Sequence, residues 1–204
     1  MTKGRFITFE GPEGSGKTTQ LKLLAARLRA EGRDVVETQE PGGTAIGNQI
    51  RSILLDPSSS AIRPTAELLL MFASRAQNVD EVILPALAAG KIVLCDRFTD
   101  SSVAYQGAGR GLGAEVVYEL DRIACRGLVP SLTVLLDIDT ETGLARAERN
   151  RMEEQPLAFH RAVREAFHQL ANEDSRRIRI VDGARERGVI AQDVWDLVGI
   201  DPRQ

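Results

Sequence analysis

The sequence predicts an α/β fold in one domain over residues 1–204, built on a five-stranded parallel sheet that is doubly wound, with helices on both faces. Three observations carry that reading. Five short apolar runs alternate with segments of helical period, the rhythm that successive βαβ units impose. A glycine-rich loop separates the first run from the first helical segment. A chain of 204 residues buries one substantial core but not comfortably two.

Each element has its own reason. RFITFE at 5–10 is rich in Phe, Ile and Thr and stops at the glycines of GPEGSG, so it reads as a buried strand. From Lys17 the period changes: Leu21, Leu24, Ala25 and Leu28 fall on one helical face, and Glu31-Gly32 ends the helix. DVVET is the second strand, followed by the turn EPGG, a helix from Thr44 to Leu55 and a longer helical region from Thr65 to Ala89. KIVLCD is the third strand. A short helix over Thr99 to Gln106, the glycine-rich turn QGAGRGLG and a helix from Ala114 to Arg126 follow it. SLTVLLDI is apolar without alternation, as a strand buried on both faces must be. Helices over Thr140 to Arg149 and Leu157 to Ala171, the strand RIRIVD and a last helix carrying Ile190, Val194, Leu197 and Val198 complete the chain.

Composition excludes several classes. With 43% hydrophobic and 27% charged residues, neither disorder nor a fibrous fold is indicated. A net charge of −3 without a basic run argues against nucleic-acid binding. Cys95 and Cys125 lie far apart, His160 and His168 lack metal-ligand spacing, and no stretch of apolar residues is long enough to span a bilayer. The expectation is a reduced, cytoplasmic protein without a membrane partner.

GPEGSGKT at 11–18 matches G-x-x-x-x-G-K-[ST] in full, between a predicted strand and a predicted helix. This predicts a P-loop NTPase fold. Gly11, Pro12, Glu13, Gly14, Ser15, Gly16, Lys17 and Thr18 are therefore the candidate ATP-binding residues. The glycines let backbone amides approach phosphate, and the helix N-terminus adds a favourable dipole. Lys17 should reach the outer phosphates and Thr18 should ligate Mg²⁺. Asp96 ends the third strand, where a doubly wound sheet holds its ligands, and is the second candidate for the metal. Arg97 follows it and can stabilise charge on a transferring phosphoryl group.

A P-loop alone does not separate kinases from GTPases or motors. No NKxD guanine reader exists here, the one DxxG falls in the last helix at Asp196 to Gly199, and the chain is short for a motor core. A compact phosphotransferase fits best. The rival from another class, a non-catalytic ATP-binding module, would leave the Asp96-Arg97 pair without a purpose.

GPEGSGKTTQ, EPGGT at 40–44, LLLMFASRAQ at 68–77, CDRFTDSSVAYQGAGRGL at 95–112 and PSLTVLLDI at 130–138 resemble bacterial thymidylate kinases in order and spacing, over about residues 4–182. The resemblance implies transfer of the γ-phosphoryl group of MgATP to dTMP, giving dTDP for dTTP synthesis, by a homodimer. It implies that Phe72 stacks on thymine, with Met71, one position away, in that place if the register is shifted; that Arg75 binds the base edge or acceptor phosphate; and that Ser102, Tyr105 and Gln106 read the nucleoside and crowd its 2′ carbon. Glu13 then approaches the 3′-hydroxyl, Glu40 shapes the pocket, and Arg97 bridges both phosphates. This P-loop has no internal arginine, so a helical lid near 143–156 should supply one, with Arg146, Arg149 and Arg151 as candidates and the last two expected to be catalytic. The lid segment looks shorter than the family pattern, and Gln39 stands where the family more often has arginine.

Overall fold

In the computed structural model of the chain, residues 4–147 and 150–199 are described. The strands are β1 (Arg5–Glu10), β2 (Val35–Gln39), β3 (Ile92–Asp96), β4 (Leu132–Asp137) and β5 (Ile178–Asp182), all parallel, in the order β2-β3-β1-β4-β5. The order of connection reverses at β1, with β2 and β3 on one side of it and β4 and β5 on the other, so the crevice beyond its carboxyl end is where a ligand belongs.

The pleat sorts the core into two layers. Ile7, Phe9, Leu94, Val134 and Leu136 point to one face, which α1 (Lys17–Ala30) covers with Leu21, Leu24, Ala25 and Leu28. The last helix, α9 (Arg187–Val198), packs beside it through Ile190, Val194 and Val198. Phe6, Val93, Cys95 and Leu135 point to the other face. There they meet α3 (Pro64–Asn78), α6 (Ala114–Cys125) and α8 (Leu157–Glu173). The helix α2 (Ala45–Leu55) packs on α3, and Thr44 caps it by accepting a hydrogen bond from the Gly47 amide. The helix α7 (Thr140–Arg146) leads to a turn over 151–155.

Two helices differ from expectation. The region expected to run from Thr65 to Ala89 passes through a π-helical turn at Val79–Ile83 before α4 (Leu84–Ala88). Pro85 explains it, because its ring would collide with a carbonyl of the preceding turn and its nitrogen donates no hydrogen bond. The short helix α5 (Thr99–Ser102) likewise widens into a π-helical segment over Val103–Gly109, which takes in the start of the expected glycine turn. The predicted end of the helix before the lid, Arg149, lies outside the described residues.

Candidate active site

The loop at 11–16 is shaped by contacts only glycine tolerates. A Cβ on Gly11 would stand 2.2 Å from the Leu136 carbonyl oxygen, and one on Gly14 2.0 Å from that of Gly143. Both have positive φ. No side chain caps the start of α1, so its first amides are free to meet an anion. Gly14, Gly16, Lys17 and Thr18 line an open cleft of about 1170 Å³ together with Asp96, Arg97 and Arg146. Lys17 is buried and its Nζ donates to the Pro12 carbonyl at 2.7 Å and to Ser15 Oγ at 3.3 Å. Burial and the neighbouring Arg97 pull its pKa down to about 8.

Thr18 Oγ1 donates to Asp96 Oδ2 at 2.5 Å. Two hard oxygen ligands side by side at the cleft suit Mg²⁺, which takes one or two protein oxygens and completes its shell with phosphate and water. Among the described residues no cluster of three His, Cys, Asp or Glu side chains could hold an ion without a co-ligand.

Arg97 is the centre of the site. Its backbone φ is 69°, a left-handed conformation that few arginines adopt. That turn points the guanidinium back across the sheet edge, where it donates to the Gly11 carbonyl at 3.0 Å, Ser101 Oγ at 3.1 Å and Tyr105 Oη at 3.1 Å. It also pairs with Glu13 Oε1 at 2.9 Å, to which Tyr105 Oη donates at 2.8 Å. Burial alone would raise the Glu13 pKa, but Arg97 and Lys17 bring it down to about 2. Behind them Glu10, wholly buried, accepts from the Phe98 amide at 2.7 Å and from Ser101, and burial pushes its pKa up to about 8.

A second cavity opens beside the cleft, lined by polar and apolar side chains together. Arg75 crosses its floor, donating from Nε to Glu40 Oε2 at 2.5 Å and from Nη2 to Ser102 Oγ at 2.9 Å. Asn78 holds the other Glu40 oxygen at 3.1 Å. Both members of the Arg75-Glu40 pair are 3% exposed; burial pushes the Glu40 pKa up, and Arg75 and Asn78 oppose that shift. Glu40, Arg75, Ser102, Tyr105 and Gln106 thus come together on one wall. Glu13, Glu40, Arg51, Arg97 and Glu153 line cavity and cleft alike.

Two expected residues stand elsewhere. Phe72 does not line the cavity; it is 4% exposed, packed in the core with its ring beneath the Arg75 guanidinium at 4.5 Å. Met71 takes the wall position instead, because it lies four residues before Arg75 and so shares its side of the helix more closely. Arg151 is not in the cleft either. It is 4% exposed, paired with Glu67 at 2.7 Å and donating to the Leu54 carbonyl at 2.7 Å, so its charge is already spent. Arg146 supplies the basic side chain of this segment in the cleft, with Nη1 donating to the Gly183 carbonyl at 3.3 Å. Arg149 lies outside the described residues.

Sequence reasoning missed two residues. Arg51 donates to the Pro41 carbonyl at 2.8 Å, and its place in an ordinary amphipathic helix gave no signal. Glu153 sits opposite Glu13, and burial with that neighbouring carboxylate pushes its pKa up to about 7. Its spacing after the last lid arginine was the only hint available.

Comparison with known proteins bears on this arrangement. The family model described as thymidylate kinase matches residues 9–194. A thymidylate kinase of Pelobacter propionicus is 54% identical over 191 residues, covering 89% of this chain and 87% of that protein. One of Deinococcus radiodurans is 50% identical over 202 residues, covering 97% and 98%. The crystal structure of thymidylate kinase from Ehrlichia chaffeensis superimposes with a TM-score of 0.81 at 32% identity, covering 97% of this chain and 99% of that one.

Proposed function

Since the chain belongs to the thymidylate kinase family, we infer that it is an ATP-dependent nucleotide kinase that phosphorylates dTMP to dTDP. The observation that carries this reading is the shared wall. A cleft built on the P-loop and a second, partly apolar cavity meet along Glu13, Arg51, Arg97 and Glu153, so donor and acceptor phosphates would face each other there.

The roles follow from the geometry. Backbone amides at 11–16 and the start of α1 would cradle the ATP phosphates, with Lys17 leaving its carbonyl partner for the outer phosphate oxygens. Thr18 and Asp96 would hold Mg²⁺, which neutralises charge on the phosphates when bound. Phosphoryl transfer asks the protein chiefly for position and for fixed positive charge. Arg97, locked by four partners, supplies a preorganised guanidinium at the junction, and Arg51 a second from the opposite side. Arg146 would cover the ATP side as the lid closes and excludes water.

In the cavity, Arg75 and Gln106 offer polar contacts to the base, while the soft thioether of Met71 packs on its face. Tyr105, held by Arg97 and Glu13, would form the wall against the sugar, and Glu13, with Glu153 beside it, would approach the 3′-hydroxyl. Exposed apolar side chains on neighbouring helices support a homodimer: Ile46 and Ile53 on α2, Leu69 on α3, and Val116 and Ile123 on α6. Among the described residues no helix is long and apolar enough to cross a membrane; we place the enzyme in the cytoplasm, where dTMP and ATP are its partners. Incubation with MgATP and dTMP, followed by mass analysis of products, should give dTDP and ADP in equal amounts; ADP without dTDP would overturn the reading.

A further inference from the structure

Glu67 lies one turn before Met71 on α3, is 1% exposed, and is not part of the cavity wall. Buried carboxylates are uncommon unless donors surround them. This one has four. Its Oε1 accepts from Gln106 Nε2 at 2.8 Å and Arg110 Nε at 3.2 Å. Its Oε2 accepts from Arg110 Nη2 at 3.0 Å and Arg151 Nη2 at 2.7 Å. Burial alone would raise the Glu67 pKa, but these donors bring it below its ordinary value. Arg151 therefore serves the site through Glu67, by keeping that carboxylate charged.

An ionised carboxylate can only accept hydrogen bonds. The end of the Gln106 amide that faces it must accordingly be the nitrogen, since the opposite orientation would set oxygen against oxygen. The consequence falls on the other end. Gln106 lines the cavity, and among the described residues its Oε1 accepts no hydrogen bond from a protein group. The cavity thus presents a carbonyl oxygen with a fixed orientation. Thymine and uracil carry an N–H at ring position 3, which can donate to that oxygen. Cytosine has a lone pair there, which would meet it oxygen to nitrogen without a proton between them. A site built around one donor rejects an analogue that lacks it far more sharply than an apolar pocket can.

We propose that Glu67 is a positioning residue that sets the base specificity of the enzyme: it fixes the Gln106 amide with its oxygen toward the base and so selects acceptors with an N–H at position 3. The proposal rests on the reading of the cavity as the dTMP site.

The test compares kcat/KM for dTMP and dCMP in the wild type, Glu67→Gln, Gln106→Ala and the double variant. In Glu67→Gln the amide at 67 can donate as well as accept, Gln106 is free to turn, and the preference for dTMP over dCMP should fall about tenfold, the value of one hydrogen bond. On the Gln106→Ala background the same change at 67 should leave the preference unmoved, because the reader is gone. A role confined to folding would lower both acceptors in proportion and leave their ratio intact, and that result overturns the proposal. So does an equal change of ratio with and without Gln106.

Should Glu67→Gln fail to fold, the wild-type complex supplies the answer. The N3–H proton of ¹⁵N-labelled dTMP should be protected from exchange with water in the complex; rapid exchange there would mean that no oxygen accepts it, and the proposal falls. Wild-type turnover separates the two levels. If the wild type phosphorylates dTMP and the ratio does not move, the role of Glu67 alone is wrong; if it does not phosphorylate dTMP, both readings fall together.

Discussion

Replacing Arg97 by alanine should lower turnover by about 10²–10³-fold, the loss of about 3–4 kcal/mol expected when one preorganised donor is removed from a developing negative charge. The structure shows why the full value applies. Arg97 is held by Gly11, Ser101, Tyr105 and Glu13, so no reorganisation is needed as charge builds on the transferring group. Stability should fall as well. Against the effect of burial, Arg97 and Lys17 hold the Glu13 pKa down at about 2, and a depression of that size from 4.5 corresponds to about 3 kcal/mol as an upper bound. Because the folded pKa is depressed, this stabilisation is present in full above pH 4.5 and is lost as pH falls towards 2. The variant should therefore melt lower than the wild type at pH 7, by an amount that shrinks on acidification. Alanine keeps the left-handed backbone unfavourable, whereas Arg97→Gly should recover part of the stability and none of the activity. The assay is ADP release with dTMP and MgATP at 25 °C, on protein shown to be folded by its melting curve. Expected is a large fall in kcat with the ATP dissociation constant changed by less than about threefold. A fall in kcat below tenfold, matched by rises in both KM values, would make Arg97 a simple binding residue instead.

Three further outcomes are expected. Arg151→Met should lower stability by about 2–3 kcal/mol, less than the usual loss for half of a buried pair because Glu67 keeps Arg110 and Gln106, while the KM for ATP stays within about twofold; a large rise in that KM would restore Arg151 to the cleft. Met71→Ala should raise the KM for dTMP about fivefold and leave that for ATP unchanged, whereas Phe72→Leu should lower the melting temperature without moving either, and the reverse pattern would put Phe72 back on the cavity wall. Glu10 keeps its proton in the folded state to about pH 8, so folding takes up a proton between pH 4.5 and 8 and stability should decline across that window as pH rises. Glu10→Gln removes that dependence, so its melting temperature should decline less between pH 6 and 8.5 than that of the wild type, and equal declines would contradict the assignment.

The P-loop was legible because its chemistry is local: a strand, three glycines, a lysine and a threonine in a fixed order leave few other uses. The sheet was legible because the central strands of a buried parallel sheet are mostly apolar on both faces, as Val134, Leu135 and Leu136 are. The π-helical segments were not, since Pro85 marks a disturbance without saying whether the chain kinks or widens. Met71 and Phe72 differ by one helical step, and both lie near Arg75 on a helical wheel. What separates them is tertiary: Phe98 on the far side of Arg75 completes the core around Phe72. Arg151 lies away from its expected place for the same kind of reason. A lid arginine and a structural arginine look alike in sequence, and the partner that decides between them, Glu67, sits on a distant helix. Arg51 gave no sequence signal because only the packing of α2 against α3 brings it over the cavity.

Cleft and cavity together would form one site for moving a phosphoryl group from ATP to dTMP. The most direct test is coupled ADP release with MgATP and each of dTMP, dUMP, dCMP, AMP and GMP as acceptor. dTMP should be the best acceptor by a wide margin, with dUMP ahead of dCMP and the purines near background. Preference for a purine acceptor, or ADP release that does not depend on any acceptor, would contradict that reading.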